Sequence, residues 1–148
     1  MGKVESGVFP VHVNDFEVNV GTDVENWVTV AELEECNLAI DNTTEEWNSF
    51  ENEGWGSALV TAKKSSIGIK GKRCIGDAGN DYIAEKLMAN GQDAYISARI
   101  TTPAGKVITW NKMACAVTNA GSSGAATNVG GLEATLTGHG KPTVTEAQ

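Results

Sequence analysis

Apolar and polar residues alternate with a period of two along most of this chain, the mark of half-buried strands. Residues from His12 to Val20 and from Trp27 to Ile40 read as two strands. In the second, Val28, Val30, Cys36, Leu38 and Ile40 share one parity, but Glu32 and Glu34 intrude on the same face, which predicts a bend or bulge there. Residues 57–75 form a further strand, with Ile67, Ile69 and Ile75 on one face and Lys70 and Lys72 on the other. Ala94, Ile96, Ala98 and Ile100 then alternate with Tyr95, Ser97, Arg99 and Thr101. Thr102-Pro103-Ala104-Gly105 predicts a turn, because proline presets φ and glycine tolerates positive φ. Val107 to Val117 returns as its partner strand, and a last strand places Leu132, Ala134 and Leu136 on one face.

One segment has helical spacing. Asp77-Ala78-Gly79-Asn80-Asp81 offers capping oxygens and negative charge for a helix N-terminus, and Tyr82, Ile83, Leu87 and Met88 form an apolar stripe that reads as core packing. Asn90-Gly91 is a stop signal, so the helix is expected over residues 80–90. The resulting class is mainly β (α+β), a β-sandwich with one short flanking helix. One domain is expected over residues 11–138, with an N-terminal arm at 1–10 and a C-terminal tail at 139–148.

Residues 41–56 fit neither period and read as a long acidic loop. Glu45, Glu46 and Glu53 sit there among Trp47, Phe50 and Trp55. Long loops inside compact domains tend to be functional, and large rings among charges suit an interface. The other possibility is that these rings fold back onto their own core.

Composition narrows the function. The 148 residues suffice for a single core without staples. Three widely spaced cysteines, Cys36, Cys74 and Cys115, suit neither a disulfide framework nor a zinc site and read as free thiols of a reducing compartment. No stretch has the signature of a secretory signal or a membrane-spanning helix. The net charge of −8 is unevenly placed, with the acidic excess in the first 60 residues and a mildly basic remainder. That asymmetry suits either solubility or head-to-tail association, and an acidic chain is a poor clamp for nucleic acid.

No catalytic set emerges. His12 and His139 are far apart, and no zinc-protease, nucleophile-elbow or paired-cysteine motif occurs. Gly140-Lys141-Pro142-Thr143 has proline where a phosphate loop needs serine or threonine. Asp77, Asn80 and Asp81 lack calcium-loop spacing and are explained by helix capping. No cofactor or metal is expected. Lys63-Lys64 with Lys70, Lys72 and Arg73 is the only basic cluster and reads as a solvated strand face.

The order of parts is informative where single motifs are not. A strand pair is followed by Glu45-Glu46-Trp47 and Glu53-Gly54-Trp55, and then by Lys72-Arg73-x-x-Gly76-Asp77-x-x-Asn80-Asp81-Tyr82 opening a helix. The proline–glycine hairpin comes next, and the Gly130-Gly131-Leu132-Glu133-Ala134-Thr135-Leu136 strand leads to Lys141-Pro142. Over roughly residues 10–142 this resembles the tail tube (major tail) proteins of bacteriophages. The resemblance implies a structural virion protein and no enzyme: a β-sandwich that assembles into hexameric rings whose inner sheets join as a β-barrel lumen. Glu45, Glu46, Trp47, Phe50, Glu53 and Trp55 would stack one ring on the next, and Glu32, Glu34 and Asp41 would face the lumen. The partners implied are further copies of the chain and the tape measure, tail terminator and distal tail proteins. DNA would pass without specific binding, and no membrane would be involved. The place would be the virion tail, assembled in the bacterial cytoplasm, with the two termini ordering on assembly. A contractile tail or phage-derived bacteriocin tube fits equally. The competing class is a carbohydrate-binding β-sandwich that stacks sugars on Trp27, Trp47, Trp55 and Trp110.

Overall fold

The computed structural model describes residues 7–146. The first six residues of the N-terminal arm and the last two of the C-terminal tail lie outside the described residues. Eight antiparallel strands form one sheet: β1 (Asp15–Asn19), β2 (Trp27–Thr29), β3 (Leu33–Asn48), β4 (Gly56–Lys72), β5 (Tyr95–Thr101), β6 (Lys106–Ala120), β7 (Gly131–Gly138) and β8 (Thr143–Glu146). The order is β2-β1-β5-β6-β7-β4-β3, and β8 pairs with β6 in line with β7.

Connectivity dictates the shape. β2 and β3 are the two outer strands of the sheet, yet only Val30–Glu32 separates them along the chain. The four Cα–Cα steps from Thr29 to Leu33 span about 14 Å at most, so the sheet must curl until these two edges come close. Its two halves then face each other across one core, the expected sandwich built from a single unclosed sheet. Phe16 and Val18 from β1, Ile96, Ala98 and Ile100 from β5, Trp110, Met113 and Cys115 from β6, Leu132, Ala134 and Leu136 from β7, and Ile67 and Ile69 from β4 all contribute to that core.

A short helix closes the seam. α1 (Ala78–Ala84) is capped by Asp77, whose carboxylate accepts from Asn80 N and also from Ala31 N in the β2–β3 connection. Asn80 is 0% exposed, and its side chain makes four bonds. Its Oδ1 accepts from Arg73 and Cys74 N, and its Nδ2 donates to Ala31 O and Lys72 O. Asp81 holds Arg73 at 2.8 Å. Gly79 lies so close to Thr29 O that a Cβ there would stand only 2.3 Å away. The Lys72–Tyr82 stretch is therefore a latch that joins both sheet edges to the helix.

Several boundaries differ from those expected. The strand from Trp27 to Ile40 breaks into two at the expected bend: Glu32 takes φ 62°, and the β3–β4 register slips between Leu33 and Glu35. The helix begins and ends earlier than residues 80–90, since α1 stops at Ala84 and a 3-10 turn carries Glu85–Met88. His12 falls in a 3-10 turn, Val11–Val13, before β1 starts. Most consequential, residues 41–56 are not a loop. Asp41–Asn48 continues β3 and only residues 49–55 turn, because cross-strand bonds to β4 hold this stretch extended although it packs against no core. Part of the tail is a strand as well: Thr143–Glu146 pairs with Lys106–Thr109.

Candidate assembly interface

β3 and β4 are the longest strands, of 16 and 17 residues, and they leave the domain together. Among the described residues β4 pairs with β7 only from Lys72 to Ser66, and β3 pairs with nothing but β4. From Asp41 and Lys64 outward the two strands thus form a free-standing ribbon. Eight residues at about 3.3 Å each carry it roughly 26 Å past the last pairing with β7, and its lower part faces residues 138–144 across a gap. An isolated two-stranded ribbon is marginal in water. Its outer edge, the unpaired side of β3, presents a row of unsatisfied backbone groups of the kind that templates another chain.

The turn at its end is well defined. Glu53 N bonds Phe50 O, Gly54 N bonds Ser49 O, and Trp55 N bonds Asn52 O, each at 3.0 Å. Asn48 Nδ2 donates to Gly54 O at 2.7 Å, and Asn52 Nδ2 donates to Ser57 Oγ at 2.6 Å. Glu53 and Gly54 take positive φ to close it. The rings do not fold back on the core: Phe50 is 102% exposed, Trp55 78% and Trp47 48%.

The six residues expected at an interface are thereby brought to one end of the molecule, but not to one face. Glu45 and Trp47 project on the side away from the core face, opposite Leu59 and Ser57, while Glu46 projects on the core-face side opposite Ala58. Phe50, Glu53 and Trp55 occupy the turn. The sequence reading missed a set of apolar residues lower on the ribbon. Leu38, Ile40 and Val60 continue the core face into solvent, and Leu59 is exposed on the other side. The period-two pattern of Leu38 and Ile40 predicts a half-buried face, whereas nothing in the pattern singles out Leu59 or Val60.

The three lumen candidates do not share an environment. Glu32 sits in the tight turn against Gly71, where its carbonyl accepts from Lys72 N. Glu34 is the extra residue of the bulge and pairs with Lys72 at 3.2 Å. Asp41 lies across from Lys64. Two of the three thus have a cation beside them.

Candidate chemistry is sparse. Cys115 is buried in the core, and burial pushes its thiol up to about 11; burial also raises Cys36. A thiol held protonated at neutral pH is a poor nucleophile. All three cysteines are free. His139 stacks edge-on against Tyr95 at 5.5 Å. The phosphate-loop lookalike runs straight into strand β8. Among the described residues there is no group of three or more histidine, cysteine or carboxylate side chains arranged to hold a metal, and no helix is long and apolar enough to cross a membrane. The tryptophans form no common platform. Trp110 is 2% exposed and donates to Ser65 Oγ, and Trp27 lies under the Arg99 guanidinium.

No family model and no curated protein matches the chain. Solved structures do. A chain of the tail of an empty GTA particle, obtained by helical refinement with C6 symmetry, superposes with a TM-score of 0.71 at 14% identity, covering 93% of this chain and 99% of that one. A chain of the virion of a native gene transfer agent particle gives 0.63 at 17% identity, covering 88% and 95%. The tube-terminating cap of the anti-feeding prophage gives 0.60 at 16% identity, covering 95% and 93%. The fold is therefore one found in the tails of phage-like particles.

Proposed function

We propose that this chain is a structural subunit of the tail tube of a phage-like particle, which associates with copies of itself in stacked, six-membered rings. One observation carries the reading. On a fold of this kind, a 26 Å ribbon stands clear of the core with an open strand edge and apolar side chains on both faces.

The energetics favour a second copy as the cover. Seven large apolar side chains on the ribbon and its base, Leu38, Ile40, Trp47, Phe50, Trp55, Leu59 and Val60, are exposed. At about 1.5–3 kcal/mol for each large side chain fully buried, they offer on the order of 10 kcal/mol per contact. That is comparable with the roughly 4–15 kcal/mol lost in association, so assembly should depend on concentration. Strand edges joined between neighbours would also remove the exposed borders, as in any closed barrel.

The rest of the reading follows from the same geometry and from charge. Glu45, Glu46, Trp47, Phe50, Glu53 and Trp55 make the contact between rings, and the β3 edge with Glu32, Glu34 and Asp41 lies toward the channel. An acidic subunit repels phosphate, which suits passage of DNA without specific binding. Tape measure, terminator and distal tail proteins are the further partners, the role is not catalytic, and assembly takes place in the bacterial cytoplasm before the tail is complete. A tube terminator is the second reading, favoured by the match to a cap protein. Negative-stain microscopy over a concentration series tests the assignment. Long hollow filaments support the tube, single rings that never stack support the terminator, and persistent monomers whose tryptophan fluorescence is quenched by sugars refute both.

A further inference from the structure

We infer that the acidic, aromatic tip of one copy's hairpin seats in a lysine-rimmed groove at the base of the next copy's hairpin. This rests on the tube reading and adds the pairing that joins the subunits.

The groove arises from a break in the sheet. β7 follows β4 as far as the Ser66–Thr137 pair, and the chain then leaves the line at Gly138–Pro142 before β8 begins. β4 continues into the ribbon without its neighbour, and a gap of about 630 Å³ opens between β4 and β8. Ile40, Val60, Pro142 and Val144 give it apolar walls, and Lys63, Lys64 and Lys141 stand around it. Among the described residues no carboxylate lines it. Lys63 donates to the neutral amide of Asn42 at 2.6 Å, and Asp41 is the acid across the strand pair from Lys64.

The tip is the complement in charge and carries apolar rings for the apolar walls. Residues 45–55 carry Glu45, Glu46, Glu51 and Glu53 and no basic residue, around three exposed rings. The hydrogen-bonded turn presents them already ordered, which lowers the entropy lost on docking. A subunit cannot fill its own groove, because the turn lies four residue pairs beyond Val60 on the same extended ribbon. The contact therefore joins two unlike surfaces on two copies, the heterologous geometry that generates rings or filaments.

Two variants test it. One reverses the groove (Lys63→Glu, Lys64→Glu, Lys141→Glu), and the other reverses the tip (Glu45→Lys, Glu51→Lys, Glu53→Lys). All six positions are solvent-exposed, so both should fold, which circular dichroism checks. Like-charge contact should cut sedimentable polymer about tenfold or more in each variant alone. An equimolar mixture should recover most of it, since each tip then meets an opposite groove. Polymer at the wild-type level from either variant alone, or no recovery from two folded variants mixed, overturns the pairing while leaving the tube reading intact. Wild-type protein that forms no polymer in the same experiment sinks the tube reading itself, and the pairing with it.

Discussion

Truncating Asn80 to alanine probes the latch that sets the curl of the sheet. The side chain is fully buried, and its four bonds join α1 to the end of β4 and to the β2–β3 connection. Alanine leaves Ala31 O, Lys72 O and Cys74 N without this partner, while Arg73 keeps Asp81. An unmade buried bond costs about 1–3 kcal/mol per group, and the partly exposed surroundings favour the lower end, so the loss should be about 3–4 kcal/mol. At about 2–4 °C per kcal/mol for a chain of this size, Tm should fall by roughly 10 °C in thermal denaturation followed by circular dichroism. Asn80→Asp should be no better at neutral pH, because a carboxylate oxygen would replace the amide nitrogen that stands 2.9 and 3.1 Å from two carbonyl oxygens. Asn37→Ala, on the exposed part of β3, is the control and should move Tm by less than about 2 °C. An Asn80→Ala shift as small as that of the control would refute the latch.

Three further outcomes follow from the same structure. Asp81→Asn should destabilise the protein at neutral pH. The Arg73 hydrogen bond, supported by Gly76 N, holds the Asp81 carboxyl below its usual range against some desolvation, so its contribution is present above the unfolded pKa of about 3.9 and is lost as pH falls through the folded one. Urea titrations should show the gap between wild type and variant closing below roughly pH 4, and a gap that persists unchanged into acid contradicts the pairing. In native protein at pH 8, Cys115 should resist a maleimide and react only after denaturation, read by peptide mapping; labelling of the folded chain would mean that β6 opens. Deleting Thr43–Glu53 removes none of the buried core residues, so the variant should keep a cooperative melt near the wild-type Tm yet form no polymer. Full-length tubes from this variant would exclude the ribbon from assembly.

What could be read from the sequence depended on whether a residue had an interior to face. The Pro103–Gly105 turn, the Asp77 cap and the alternating β5 and β6 residues announced themselves, because turn chemistry and one-sided burial leave clear signatures. The break at Glu32 was visible as carboxylates on an apolar parity, and it became a bulge and a positive φ. The ribbon was not legible as strand. Neither face of residues 41–48 is buried, so Asn42, Thr44 and Glu46 carry no period-two contrast with Asp41, Thr43 and Glu45. β8 was hidden for the same reason, being four exposed residues held to β6 by backbone pairing and the Lys106–Glu146 ion pair. The acidic and aromatic residues of the candidate interface were named from composition alone. The groove they are paired with here exists only because β4 outruns β7, a matter of strand register that no local pattern encodes.

Hydrogen exchange on the β3 and β4 amides, compared between dilute monomer and assembled polymer, tests the central claim most directly. Backbone groups along the free edge of residues 33–48 should exchange freely in the monomer and become strongly protected in the polymer, while the β5–β6 hairpin stays protected in both. A polymer in which that edge exchanges as fast as in the lone subunit would mean that the ribbon is not what joins the copies.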